Sequence, residues 1–215
     1  MTFPAQTHSI PSAVETNNLK LAPKVDGVMP IFFHRWSPRS FADRAVSPST
    51  LAKVFEAARW AASSYNEQPW RFFVGMRGSS TWQKIFDSLG EFNQAWAKAA
   101  PVLMVNAAHT RFTHNNTPNR VALYDLGAAA SYMTLQASAL GLAAHQMAGF
   151  DTEKARRALR IPEDYVMGAA VALGYQGEPA ALPNEKLMQQ EIAPRTRKPL
   201  GEIVLAEWGV PATLG

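Results

Sequence analysis

The chain has 215 residues, 47% hydrophobic and 18% charged, a size and balance that suit one globular unit with a sizeable core. It contains no cysteine, which excludes disulfides, zinc–thiolate and iron–sulfur sites and a thiol nucleophile. The net charge is +4, with most basic residues scattered, and small anionic ligands account for that excess better than a nucleic-acid stripe does.

Residues 1–24 are mixed, polar and punctuated by proline, and read as a poorly ordered or surface-draped arm. No charged stretch followed by an apolar run opens the chain, so no signal peptide is evident and the expected location is cytoplasmic. Asp26 to His34 reads as a short helix with Pro30 in its first turn. Ser47 can cap a helix with Pro48 at its first position, and Leu51, Val54, Phe55, Ala58 and Ala62 recur at helical steps. Trp70 to Met76 reads as a strand. Thr81 to Ala100 reads as helix broken around Gly90, and Pro101 to Ala107 as a buried strand.

His109 to Arg120 is polar and aperiodic, a loop or lid. Val121 to Leu140 is apolar all round, which predicts a buried helix, packed on the core or on a second copy of itself, rather than a membrane span. Gly141 to Phe150 passes from helix into strand and loop. Asp151 can cap a helix from Thr152 to Leu159, with Arg156, Arg157 and Arg160 on its solvated face. Val166 to Tyr175 reads as a strand, and Ala180 to Glu191 as a loop and short helix. Beyond Leu200 the tail carries Ile203, Val204, Leu205 and Trp208, which need a surface to bury against. The order of elements predicts an α+β or mixed α/β sheet protein.

Two stretches carry chemistry. Arg35 and Arg39 flank Ser37, a pair of guanidinium forks with a hydroxyl between them, which suits phosphate oxygens. Ser63 to Gln68 collects hydroxyls and amides, which suit the edge of a flat ring bearing donors and acceptors. Taken singly, each also fits a surface charge pair and a solvated turn. The five histidines, His8, His34, His109, His114 and His145, show no metal-ligand spacing, so no metal is expected. No Gly-x-Gly-x-x-Gly follows a strand, and no nucleophile–histidine–acid set stands out.

Together these residues resemble the nitroreductase family of FMN-dependent flavoproteins. The resemblance rests on Arg35, Ser37, Arg39 and Phe41, on the loop Ala62 to Trp70, and on the distant basic run Arg195 to Lys198 before Pro199 and Leu200. It implies an α+β nitroreductase-like fold: a central mixed, mostly antiparallel sheet flanked by helices, with a C-terminal extension wrapping the partner subunit. It implies one FMN-binding domain over residues 25–215 and a homodimer with FMN at the subunit interface.

The cofactor-binding residues it implies are Arg35, Trp36, Ser37, Arg39, Ala62, Ser63, Ser64, Asn66, Gln68, Asn93, Met147, Ala148, Gly149, Arg195 and Arg197. Arg35, Arg195 and Arg197 would hold the phosphate, and Ser37 would donate to phosphate or ribityl oxygens. Arg39 would face the N1/O2 edge of the ring. Ser63, Ser64 and Asn66 would come from the partner. Where the family often has a Glu-Gly pair, this chain has Ala148-Gly149, which leaves a backbone donor but no carboxylate. The implied activity uses NADH or NADPH to reduce nitroaromatics, quinones or similar small-molecule acceptors. Dehalogenation, enoyl reduction or flavin breakdown on the same scaffold, and flavin binding without turnover, remain alternatives.

Overall fold

The apolar run after Pro101 is a strand buried on both faces. In the computed structural model, which describes residues 10–214, it forms β2 (Val102–His109) beside β4 (Tyr165–Gly174) at the centre of a four-stranded sheet. β1 (Trp70–Met76) borders β2, and β3 (Ala143–Met147) borders β4. All three pairings are antiparallel, so the expected sheet is present without a parallel pair among the described residues.

Strand periodicity splits the core into two layers. Val102, Met104, Val171 and Leu173 point to one side, where α3 (Pro48–Arg59) and α6 (Ala122–Ala139) cover them with Leu51, Val54, Leu126 and Met133. Leu103, Val105, Ala170 and Ala172 point to the other, against Trp82 and Ile85 of α4 (Ser80–Ser88) and Trp96 of α5 (Glu91–Ala97). A bulge in β2 at Asn106 is satisfied internally, because the buried Asn106 amide oxygen accepts the Ala169 N–H at 2.7 Å.

The helix-start signals act as read. Ser47 Oγ accepts the Thr50 N–H at 3.1 Å, and Asp151 Oδ1 accepts the Lys154 N–H at 2.8 Å at the start of α7 (Thr152–Leu159). The expected solvated arginine face of α7 needs correction at Arg156. Its side chain is only 11% exposed and donates to the carbonyls of Pro162 and Tyr165. The helix ends at Arg160 in a left-handed conformation, and the returning chain leaves carbonyls that this guanidinium satisfies.

The stretch read as a draped arm also differs, for the residues described. Residues 13–19 form α1 (Ala13–Leu19), closed by a capping box between Ser12 and Glu15 and packed with Thr16 buried. The first nine residues lie outside the described part. The predicted short helix before Arg35 is α2 (Ile31–His34), with Pro30 at its N-cap.

The expectation that the long apolar helix is buried all round is overturned within this chain. Asp125, Leu126, Ala129, Ala130 and Met133 of α6 are buried, but Leu123 and Tyr132 are exposed and Tyr124 is 80% exposed. The intrachain sheet covers one face of a cylinder and leaves the other open. The tail is similar. After α8 (Glu185–Ile192) it forms a small hairpin of β5 (Leu205–Glu207) and β6 (Val210–Pro211), with Leu200 and Ile203 exposed and Trp208 97% exposed. No helix among the described residues is long and apolar enough to cross a membrane.

Gly75 of β1 shows how closely α4 is seated. A Cβ there would lie 2.3 Å from the Trp82 backbone nitrogen. Gly75→Ala must therefore push α4 from the sheet, and should cost about 1–3 kcal/mol, the usual scale of overpacking, read as a lower urea midpoint with an unchanged slope.

Candidate functional site

Arg35 leaves the C-terminus of α2 and stands beside α6. It lines a cavity of about 220 Å³ with Asn17, Trp36, Ser138 and Gly141, and a second of about 360 Å³ with Ser131, Thr134 and Gln146. Its Nη1 donates weakly to Ser37 Oγ at 3.4 Å. Burial, and then the positive charge of Arg197, lower its pKa. Burial, and then Arg35 and Arg197, lower that of Arg195. Arg195 reaches the Arg35 carbonyl, so the two ends of the chain meet here, and among the described residues none of Arg35, Arg195 and Arg197 pairs with a carboxylate. An uncompensated group of this kind suits a multiply charged anion.

The three do not play equal parts. Arg195 donates from Nε to the Lys20 carbonyl, from Nη1 to the Arg35 carbonyl and from Nη2 to the Phe33 carbonyl. It is a clamp that joins the tail to the N-terminal segment, and its donors are largely spent there. Arg35 and Arg197 are less committed: among the described residues Arg35 reaches only Ser37 Oγ, and Arg197 Nη1 donates to the Thr196 carbonyl at 2.7 Å. Trp36 lines the same cavity as Arg35. Its indole N–H donates to Asn17 Oδ1 at 2.8 Å, and Lys20 Nζ sits 4.8 Å from its ring centroid.

A second pole gathers Arg39, Asn93 and Gly149. The Arg39 guanidinium lies 6.0 Å from the Phe92 ring centroid, and its Nε is buried without a partner. Such an orphaned donor marks a place where an acceptor is missing. The neighbouring Asn93 Nδ2 donates to the Gly149 carbonyl at 2.9 Å. A Cβ on Gly149 would lie 2.8 Å from that nitrogen, so a larger residue there would displace the Asn93 amide. Ala148 and Gly149 are exposed, whereas the Met147 side chain is buried in the core.

The polar loop Ser63 to Gln68 hangs from the end of α3, and Ala62 before it is exposed. Tyr65, Asn66 and Gln68 all have φ near +50°, a conformation that costs about 1–3 kcal/mol each outside glycine. Side chains hold it. Ser63 Oγ accepts the Gln68 N–H at 3.0 Å, and the buried Asp125 accepts the Ser64 N–H at 3.1 Å. Glu67 accepts the Thr113 N–H at 3.1 Å, tying the loop to the 110–118 hairpin. Tyr65, Phe112 and His114 then form a three-ring cluster with centroids 5.5–5.6 Å apart.

Within one chain the loop and the arginines do not meet. The loop is bonded to Asp125 in the first turn of α6, whereas Arg35 lies beside Thr134 and Ser138. Nine to thirteen residues of helix separate them, roughly 14–20 Å along the axis.

Sequence reading missed Lys20, Glu67, Asp125, His145 and Glu191 as parts of this site. Each acts over a large sequence separation, and only the Ser12–Glu15 spacing that announces α1 was there to be read. His145 packs its ring 4.7 Å from Trp96 and donates from Nδ1 to the Pro38 carbonyl at 3.1 Å. Burial, and then the Arg39 charge, push its pKa down to about 4 from 6.5. The unfolded chain therefore binds the extra proton first. The contribution is fully present above about pH 6.5 and is lost as pH falls towards 4. It is worth at most about 3 kcal/mol. His145→Gln should flatten that part of the stability profile, measured by urea denaturation at pH 7 and pH 4.5.

The chain is similar to known proteins over most of its length. A model of the family described as the Nitroreductase family matches residues 33–94 and 76–175. A Streptomyces coelicolor protein provisionally named NADH dehydrogenase/NAD(P)H nitroreductase is 30% identical over 162 residues, 66% of this chain and 79% of its own. The NADH dehydrogenase of Thermus thermophilus is 29% identical over 203 residues, 80% of this chain and 91% of its own. A solved oxidoreductase described as containing FMN is 33% identical with a TM-score of 0.81, covering 88% of this chain and 95% of that one.

Proposed function

The chain belongs to the nitroreductase family, and we propose on that footing that it is an FMN-dependent oxidoreductase using NADH or NADPH to reduce nitroaromatics, quinones or similar acceptors. The observation that carries this reading is the uncompensated group of Arg35, Arg195 and Arg197. The residues fit the cofactor at both poles: Arg35 and Arg197, without a carboxylate partner among the described residues, match a phosphate, and the orphaned Arg39 Nε matches an acceptor at the ring edge. A named relative and an FMN-containing structure of similar sequence support the same chemistry.

Arg35 and Arg197 hold the phosphate, with Ser37 Oγ beside them, and Arg195 keeps Arg197 in place. Arg39 presents a fixed cation where negative charge collects on reduction, which favours the reduced state. Asn93 and the Gly149 backbone border the same edge. Held by these residues, FMN would supply hydride transfer between the nicotinamide and the acceptor. With no dinucleotide-binding fingerprint in the sequence, donor and acceptor use one pocket in turn.

The active unit is a homodimer, with residues 25–215 as one FMN-binding domain. The gap along α6 supports this, because a second copy can bring its Ser63–Gln68 loop to the arginines of the first. The open face of α6 and the apolar tail hairpin supply the surface: Met29, Phe32 and Tyr132 line an open groove of about 480 Å³, and Tyr124 and Trp208 are left in water.

Purified protein tests the reading. It should be yellow with FMN, bleach with NADH or NADPH, and regain colour when a quinone is added. Bound FMN without bleaching would leave a flavin-binding protein; no FMN binding would end the proposal. Arg35→Ala or Arg197→Ala should each weaken FMN binding by about 1.5–3 kcal/mol, the range for a hydrogen bond to a charged group, measured by fluorescence titration of the apoprotein. Trp36→Phe should leave that affinity nearly unchanged.

A further inference from the structure

Glu191 is fully buried, at 0% exposure, on the last turn of α8. A carboxylate there is costly unless its oxygens are bonded. Both are: Oε1 and Oε2 accept the Arg39 N–H at 3.0 and 2.9 Å, and Oε1 also accepts the Ser40 N–H at 3.1 Å. The same short segment is fixed on either side, by His145 on the Pro38 carbonyl and by Ser40 Oγ on the Glu178 carbonyl at 2.6 Å. Lys20 in turn ties the end of α8 through the Gln190 and Ala193 carbonyls. The Arg39 backbone is thus pinned, while its buried Nε has no partner. A side chain rooted this firmly with an unbonded head is pre-organised for a ligand.

We propose that Glu191 is a positioning residue, which holds the backbone of Arg39 so that its guanidinium meets the ring edge of the cofactor. This rests on the FMN reading above. The sign of the effect separates position from charge. Removing a carboxylate near an anionic ligand would by charge alone tighten binding and raise the reduction potential. Loss of position does the opposite on both counts.

The test is a double-mutant cycle on the full chain, read by FMN titration of apoprotein and by the midpoint potential of bound FMN. Glu191→Ala should weaken FMN binding about tenfold. It should also lower the two-electron potential by about 30 mV, the equivalent of a further tenfold. In an Arg39→Ala background, Glu191→Ala should change neither quantity further. FMN binding as tight as in the parent, a raised potential, or effects that add fully to those of Arg39→Ala would each overturn the assignment. If Glu191→Ala does not fold, Glu191→Gln keeps the volume, replaces one acceptor by a donor, and must show the same direction. Failure of the parent protein itself to bind FMN would instead remove the functional reading.

Discussion

Like charges from the two ends of the chain are forced together around Arg35. Their mutual repulsion opposes the fold, and among the described residues no carboxylate relieves it. Other contacts must therefore hold the chain ends. The Arg195 nitrogens grip three carbonyls of the N-terminal segment, Lys20 grips the end of α8, and Glu191 grips the loop before the sheet. The backbone thus keeps cations in a place that only an anion makes comfortable.

The sheet dictates where that place can be. β2 and β4 are covered on both faces, so nothing can bind over their centre. What remains is the rim, where α2, α5, α6 and the loop after β3 end. There the backbone approaches closely at Gly149, and there Arg39 has a donor to spare.

Local patterns made much of this visible in advance. The alternation within β2 and β4, the Ser47-Pro48 start of α3 and the Asp151 cap of α7 are interactions between neighbours in sequence, so their residue types announce them. The Arg-x-Ser-x-Arg spacing did not say that Arg35 and Arg39 stand apart, Arg35 beside α6 and Arg39 beside Phe92. Arg156 was misread because the carbonyls it satisfies belong to a turn whose direction depends on one left-handed residue, Arg160. Glu191 could not be read at all, since its partners lie about 150 residues away. The openness of α6 escaped for another reason: an all-round apolar helix states that both faces are covered, not by which chain.

The Arg195 clamp has a mechanical consequence for both ends of the described chain. Arg195 fastens the segment after α8 to the C-cap of α1 through the Lys20 carbonyl and to the start of the Arg35 segment through the Phe33 and Arg35 carbonyls, so these stretches move together. Lys20 takes part twice, its carbonyl accepting from Arg195 and its ammonium gripping the carbonyls at the end of α8, so one residue at the close of the first helix couples it to the last.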